Sequence, residues 1–166
     1  MNEATAKKKG LPTWVIVLIV LAVAGPVIIG ILAAFAIYGV RKYVAEAKRQ
    51  EAVQMLATWG QGLVGCGEKA GSLPPSSAPV PATLDMVSGR KYQSVANDWA
   101  DAAYACAGFS LRDPQYFQYQ WQRTSDAEGV MRAVADLDAD GQPDQAFETR
   151  VSCSGGRCTA TPATKL

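Results

Sequence analysis

Residues 14–40 read WVIVLIVLAVAGPVIIGILAAFAIYGV, without one charged side chain. As a helix these 27 residues rise about 40 Å, more than the roughly 30 Å hydrocarbon core of a bilayer. A helix also satisfies its own backbone polar groups, which lipid cannot do. The stretch is therefore read as a transmembrane helix over residues 14–40, preceded by a tail or leader over residues 1–13.

The next segment, RKYVAEAKRQEAVQMLATWGQGLV over residues 41–64, has a different period. Ala45, Ala52, Leu56, Trp59 and Leu63 recur at three- and four-residue spacing, which places them on one helical face. No proline lies between the two segments, so one helix is expected to continue from apolar to amphipathic. Gly60, Gly62, Gly65 and Gly67 are read as its end, at about residue 64. The remaining residues, 65–166, are enough for one small head domain.

Composition narrows what that head does. Residues 71–166 hold eleven Asp or Glu against eight Lys or Arg, a net charge of −3, so nucleic acid is not expected as a partner. The chain contains no histidine. Ser-His and Cys-His nucleophile pairs are thereby excluded, as is a His-ligated metal, and no enzymatic activity is expected.

Basic residues do not decide the orientation of the membrane segment: Lys7, Lys8 and Lys9 precede it, and Arg41, Lys42, Lys48 and Arg49 follow. The cysteines do. Cys66, Cys106, Cys153 and Cys158 all lie on the C-terminal side, even in number and without CxxC spacing. Two disulfides in an oxidising compartment are expected, against the alternative of free buried thiols. A single-pass protein with a cytoplasmic N-terminus follows. The competing reading is a secretory signal cut after Ala22-Val23-Ala24, which would leave the apolar run 25–40 with no obvious place in a small domain.

Residues 71–81, GSLPPSSAPVP, cannot continue a helix or enter a central strand and are read as an extended surface loop, the alternative being a disordered linker. Residues 99–106 form a short turn or helix that delivers Cys106. In residues 116–122 Phe117, Tyr119 and Trp121 alternate with glutamines, the period of a half-buried strand. Residues 130–137 and 145–153 are two further strand candidates. The run CSGGRC at 153–158 reads as a hairpin whose Gly155-Gly156 turn brings two sulfurs together, with a final strand over 159–161.

Between the second and third strands lies DLDADGQPD. Asp136, Asp138, Asp140 and Asp144 are spaced so that a curled loop makes their carboxylates converge, with Gly141 at the sharp turn and Gln142 offering a carbonyl. Hard oxygen donors suit calcium. The spacing resembles the DxDxDGxxD loops of calcium-binding repeats, although Phe147 stands where an EF-hand carries its bidentate Glu. The alternative is an Asp-Gly turn with solvated carboxylates.

The run IIGILAAFAIYGVRKYVAEAKRQEA, residues 28–52, resembles the N-terminal helix of type IV pilins and pilin-like proteins, in which an apolar GILAAxAI segment passes into an alanine-rich amphipathic half. AYACAGFSLRDPQYFQYQW, residues 103–121, is similar to pilin-like proteins of gliding soil bacteria. The resemblance implies an α+β fold, a long N-terminal helix carrying a small antiparallel head. It implies a structural subunit, such as a minor pilin of a type IV pilus or a related secretion or motility machine, anchored in the bacterial inner membrane with a periplasmic head. Its partners would be the membrane and other pilin-like subunits packed through the N-terminal helix, and assembly would take it to a cell-surface pilus.

In that fold the expected pairing is Cys66–Cys106 with Cys153–Cys158, and the calcium loop falls in a β-turn. Lys7-Lys8-Lys9-Gly10 compares with a prepilin leader, which places cleavage between Gly10 and Leu11. After Gly10 the chain reads Leu11-Pro12-Thr13-Trp14-Val15, without the glutamate the family carries at the fifth position. The alternative function is a permanently anchored periplasmic binding or accessory domain that does not polymerise.

Overall fold

The computed structural model describes residues 12–166, apart from the side chains of Arg41, Lys42 and Ala45. Leader cleavage at Gly10 and Leu11 lies outside the described residues, as does the side chain of Ala45 on the amphipathic face. The fold is α+β. Helix α1 runs from Thr13 to Ala70, and the chain divides into two compact units with the boundary between Ala45 and Glu46.

In the first unit the segment Thr13–Val40 is the one helix among the described residues long and apolar enough to cross a membrane, by length and composition. Its side chains, among them Ile29, Leu32 and Phe35, are exposed all round. A helix apolar on every side and unburied suits a membrane anchor or a signal sequence. Pro26 lies inside it; its ring removes the N–H that would bond the carbonyl of Ala22.

The second unit, Glu46–Leu166, begins with the amphipathic part of α1. Ala52, Leu56, Trp59, Leu63 and Cys66 are buried at spacings of three and four, the stripe a helix must bury. The first four share one core with the inner residues of an antiparallel sheet: Tyr119 and Trp121 of β1 (Gln118–Arg123), Met131, Ala133 and Ala135 of β2 (Glu128–Ala135), and Phe147 and Val151 of β3 (Gln145–Ser154). The strand order is β1-β2-β3-β4, with β4 at Arg157–Ala160 and β5 at Thr164–Lys165, which also pairs β3. Every neighbour pair is antiparallel. The period-2 alternation sends the glutamines of β1 to the opposite face.

One end of the core is aromatic. Trp59 stacks against Tyr104 and Phe109, with ring centroids at 5.1 and 4.9 Å, and Trp99 meets Tyr104 and Phe109 edge-on. Tyr104 comes from α2 (Ala102–Ala107) and Trp99 from the short 3-10 turn Ala96–Trp99. The disulfide Cys66–Cys106 ties α1 to α2, and Cys153–Cys158 joins directly opposed residues of β3 and β4. Gly155 and Gly156 make the turn between them with φ of 59° and 79°.

Residues 71–81 form an ordered strap. Ser77 N–H donates to the Trp121 carbonyl at 3.0 Å, Val80 and Tyr119 exchange both backbone bonds at 2.8 Å, and Trp121 Nε1 donates to the Pro74 carbonyl. The strap covers the free edge of β1, where prolines are tolerated because few ladder donors are needed.

Helix α1 does not end near residue 64. It continues to Ala70, with Gly60, Gly62, Gly65 and Gly67 inside it. Two of these glycines are there for contact. A Cβ on Gly62 would collide with the backbone carbonyl of Ala107, and one on Gly67 would lie 2.7 Å from Cys158 Sγ and 3.0 Å from Cys153 Sγ. The strands also shift by up to two residues from their sequence-derived limits, since pairing partners set their ends.

Candidate metal centre

The β2–β3 connection, residues 136–144, carries the candidate ligands at one end of the sheet. The Asp144 N–H donates to the Ala135 carbonyl at 3.1 Å and closes the hairpin. Inside it, the fully buried Asp136 organises the loop. Its Oδ1 accepts the N–H groups of Ala139 at 2.8 Å and Asp140 at 3.3 Å, and its Oδ2 accepts the N–H of Gly141 at 3.0 Å and the hydroxyl of Ser88 at 2.6 Å. This curl needs Ala139 at φ 64°, a left-handed conformation that costs about 1 kcal/mol for a residue with a Cβ. Four donors on one carboxylate offset it.

The other acids line the rim. Asp138 Oδ1 accepts the Asp140 N–H at 3.4 Å, Asp140 Oδ1 accepts the Gln142 N–H at 2.7 Å, and Asp144 Oδ1 accepts the Leu137 N–H at 3.2 Å. Asp136, Asp138 and Asp140 each present a carboxylate oxygen within 4.8 Å of the others, the first buried and the other two exposed. Asp144 is not part of that group, and Gln142 takes part through its backbone N–H.

The electrostatics differ along the loop. The Ser88 hydroxyl, and after it the Gly141 and Ala139 N–H groups, hold the Asp136 carboxyl below its ordinary range against the opposing effect of desolvation. Asp138 is pushed up, by desolvation first and by the charges of Asp140 and Asp144. A divalent cation among these oxygens would reverse that repulsion. The three carboxylates make an all-oxygen set that could hold a hard divalent cation.

Sequence reasoning missed Ser88. It sits 48 positions before Asp136, after the 3-10 turn Leu84–Val87, and no local pattern marks it. Gly89 N–H also donates to the Asp136 carbonyl at 2.8 Å, so this turn clamps the loop from outside the hairpin.

The chain matches no family model, no curated protein and no solved structure.

Proposed function

We propose that this chain is a membrane-anchored, pilin-like structural subunit of a bacterial inner membrane, with its head in the periplasm. The observation that carries the reading is the division of α1. Its first part is apolar all round, and its second part buries one stripe under a five-stranded antiparallel sheet, with one disulfide from α1 to α2 and one between β3 and β4. This is the arrangement the resemblance of residues 28–52 implies. The apolar part would pack against the same part of other subunits on assembly, and the disulfides would form in the oxidising periplasm. Calcium, held by Asp136, Asp138 and Asp140 with Asp144 beside them, would rigidify the head.

The second reading, a permanent anchor carrying an accessory domain, is favoured by the missing glutamate in Leu11-Pro12-Thr13-Trp14-Val15. The mass of the chain purified from membranes separates the two. Loss of residues 1–10 supports the subunit; retention of those residues supports the permanent anchor; a chain starting at Gly25 overturns both. For the metal, a thermal melt that calcium does not shift removes the calcium assignment.

A further inference from the structure

On the sheet face turned away from the core, Glu148 is 7% exposed although it carries a charge. Two arginines share it. Arg132 Nε donates to Oε2 at 3.3 Å and Arg150 Nε to Oε1 at 3.1 Å. Arg132 lies directly opposite Glu148 in the β2–β3 register, and Gln120 lies directly opposite Arg132 on β1.

One guanidinium would neutralise one carboxylate, so the cluster is left with a positive charge. Each arginine uses only Nε. The terminal nitrogens of both guanidinium groups have no hydrogen-bond partner among the described residues, and the side chains are 45% and 72% exposed. Glu148 thus holds two guanidinium forks facing solvent, with part of their rotamer entropy already lost, a geometry suited to carboxylates.

The same head carries an acidic counterpart in the 136–144 loop, where Asp138, Asp140 and Asp144 are exposed. Among the described residues no hydrogen bond or ion pair joins this loop to Arg132 or Arg150 of the same molecule. Asp136 is four residues beyond Arg132, roughly 13 Å along an extended strand, and at physiological salt charges so separated are largely screened. We propose that Arg132 and Arg150 dock the exposed carboxylates of this loop from a second copy of the chain. The contact joins two different patches, which lets it repeat head to tail from one copy to the next. It rests on the subunit reading and supplies that reading with a contact between heads. A divalent cation in the loop is compatible with it, because four carboxylates retain net negative charge after binding one.

The test uses the full chain in nanodiscs, with association measured by sedimentation at low and high salt. Arg150→Glu and Asp140→Lys change exposed positions, and a thermal melt of each confirms folding. The expected result is salt-sensitive association of the unaltered chain, weakened about tenfold or more by either change alone and regained when the two variants are mixed. Association that is indifferent to salt and to both substitutions overturns the head contact while leaving subunit packing through the apolar helix intact. A mixture no tighter than either variant alone also overturns the contact. An unaltered chain that stays monomeric under all conditions overturns both the contact and the subunit reading.

Discussion

Glu51 on α1 accepts the backbone N–H of Tyr116 through Oε1 at 3.1 Å, which ties the helix to the chain just before β1. Lys48 and Lys91 lie 4.4 and 4.7 Å from the centroid of the Tyr116 ring. Burial nevertheless dominates and holds the Glu51 carboxyl above its ordinary value, with the Tyr116 N–H and the two lysines pulling it down by less.

The sign of the resulting pH dependence follows. The native state keeps the Glu51 proton more tightly than the unfolded chain, so this residue's contribution is most favourable below its unfolded pKa. It falls as pH rises toward the folded value and is constant above. Glu51→Gln keeps an acceptor for Tyr116 and removes the charge. The variant should lose this falling segment and be as stable as the original at pH 7, or more so by on the order of a few tenths of a kcal/mol after allowing for solvent screening. Urea midpoints at pH 4 and pH 7 check this, and a variant clearly weaker at pH 7 would contradict it.

The glycines of α1 should respond in opposite directions. Gly67→Ala forces a methyl against both sulfurs of Cys153–Cys158 and the Leu73 side chain, a clash of about 1–3 kcal/mol that outweighs the helix-propensity gain. Gly65 has nothing within 4 Å of the added carbon, so Gly65→Ala should stabilise by roughly 0.5–1 kcal/mol. Denaturant titration of both variants shows whether the close approach or the propensity governs each site.

Cys66 and Cys106 are 40 positions apart, and cross-linking a loop of that length restricts the unfolded chain by about 4 kcal/mol. Replacing both with alanine should lower stability by an amount of that order. A loss under about 1 kcal/mol would mean that Trp59, Tyr104 and Phe109 already hold α2 in place.

Ser88→Ala removes the donor that does most to hold the Asp136 carboxyl down. A depressed folded pKa contributes stability above the unfolded pKa and loses it as pH falls through the folded one. In the variant the folded pKa rises, so this contribution is smaller and is exhausted at higher pH, and acid unfolding followed by circular dichroism should come at higher pH. Any rise in melting temperature that added calcium produces should shrink as well, because the curl of the loop is less firmly held.

The path from residues to elements was short wherever one period ruled. The alternation of Phe117, Tyr119 and Trp121 marks a strand because each faces the same core, and the spacing of Leu56, Trp59 and Leu63 marks a helix for the same reason. The end of α1 was not legible. Glycine's intrinsic cost in a helix pointed to a stop, while its value at Gly62 and Gly67 depends on Ala107 and on the Cys153–Cys158 sulfurs, neither of which is near in sequence. The strap over 71–81 was likewise undecidable between loop and linker until β1 supplied an edge for it to bond.

Sequence alone determined the apolar segment and the amphipathic one, because a run without charge and a stripe at helical spacing each require a particular solvent. It also placed the four carboxylates of 136–144 on one short loop. Only the tertiary structure decided that Ser88 closes over Asp136, that Glu148 is buried between Arg132 and Arg150, and that a strap seals the sheet edge. Apart from the Arg150–Glu148 pair, those relationships join residues 16 or more positions apart, and their energies exist only once folding has brought donor and acceptor within reach.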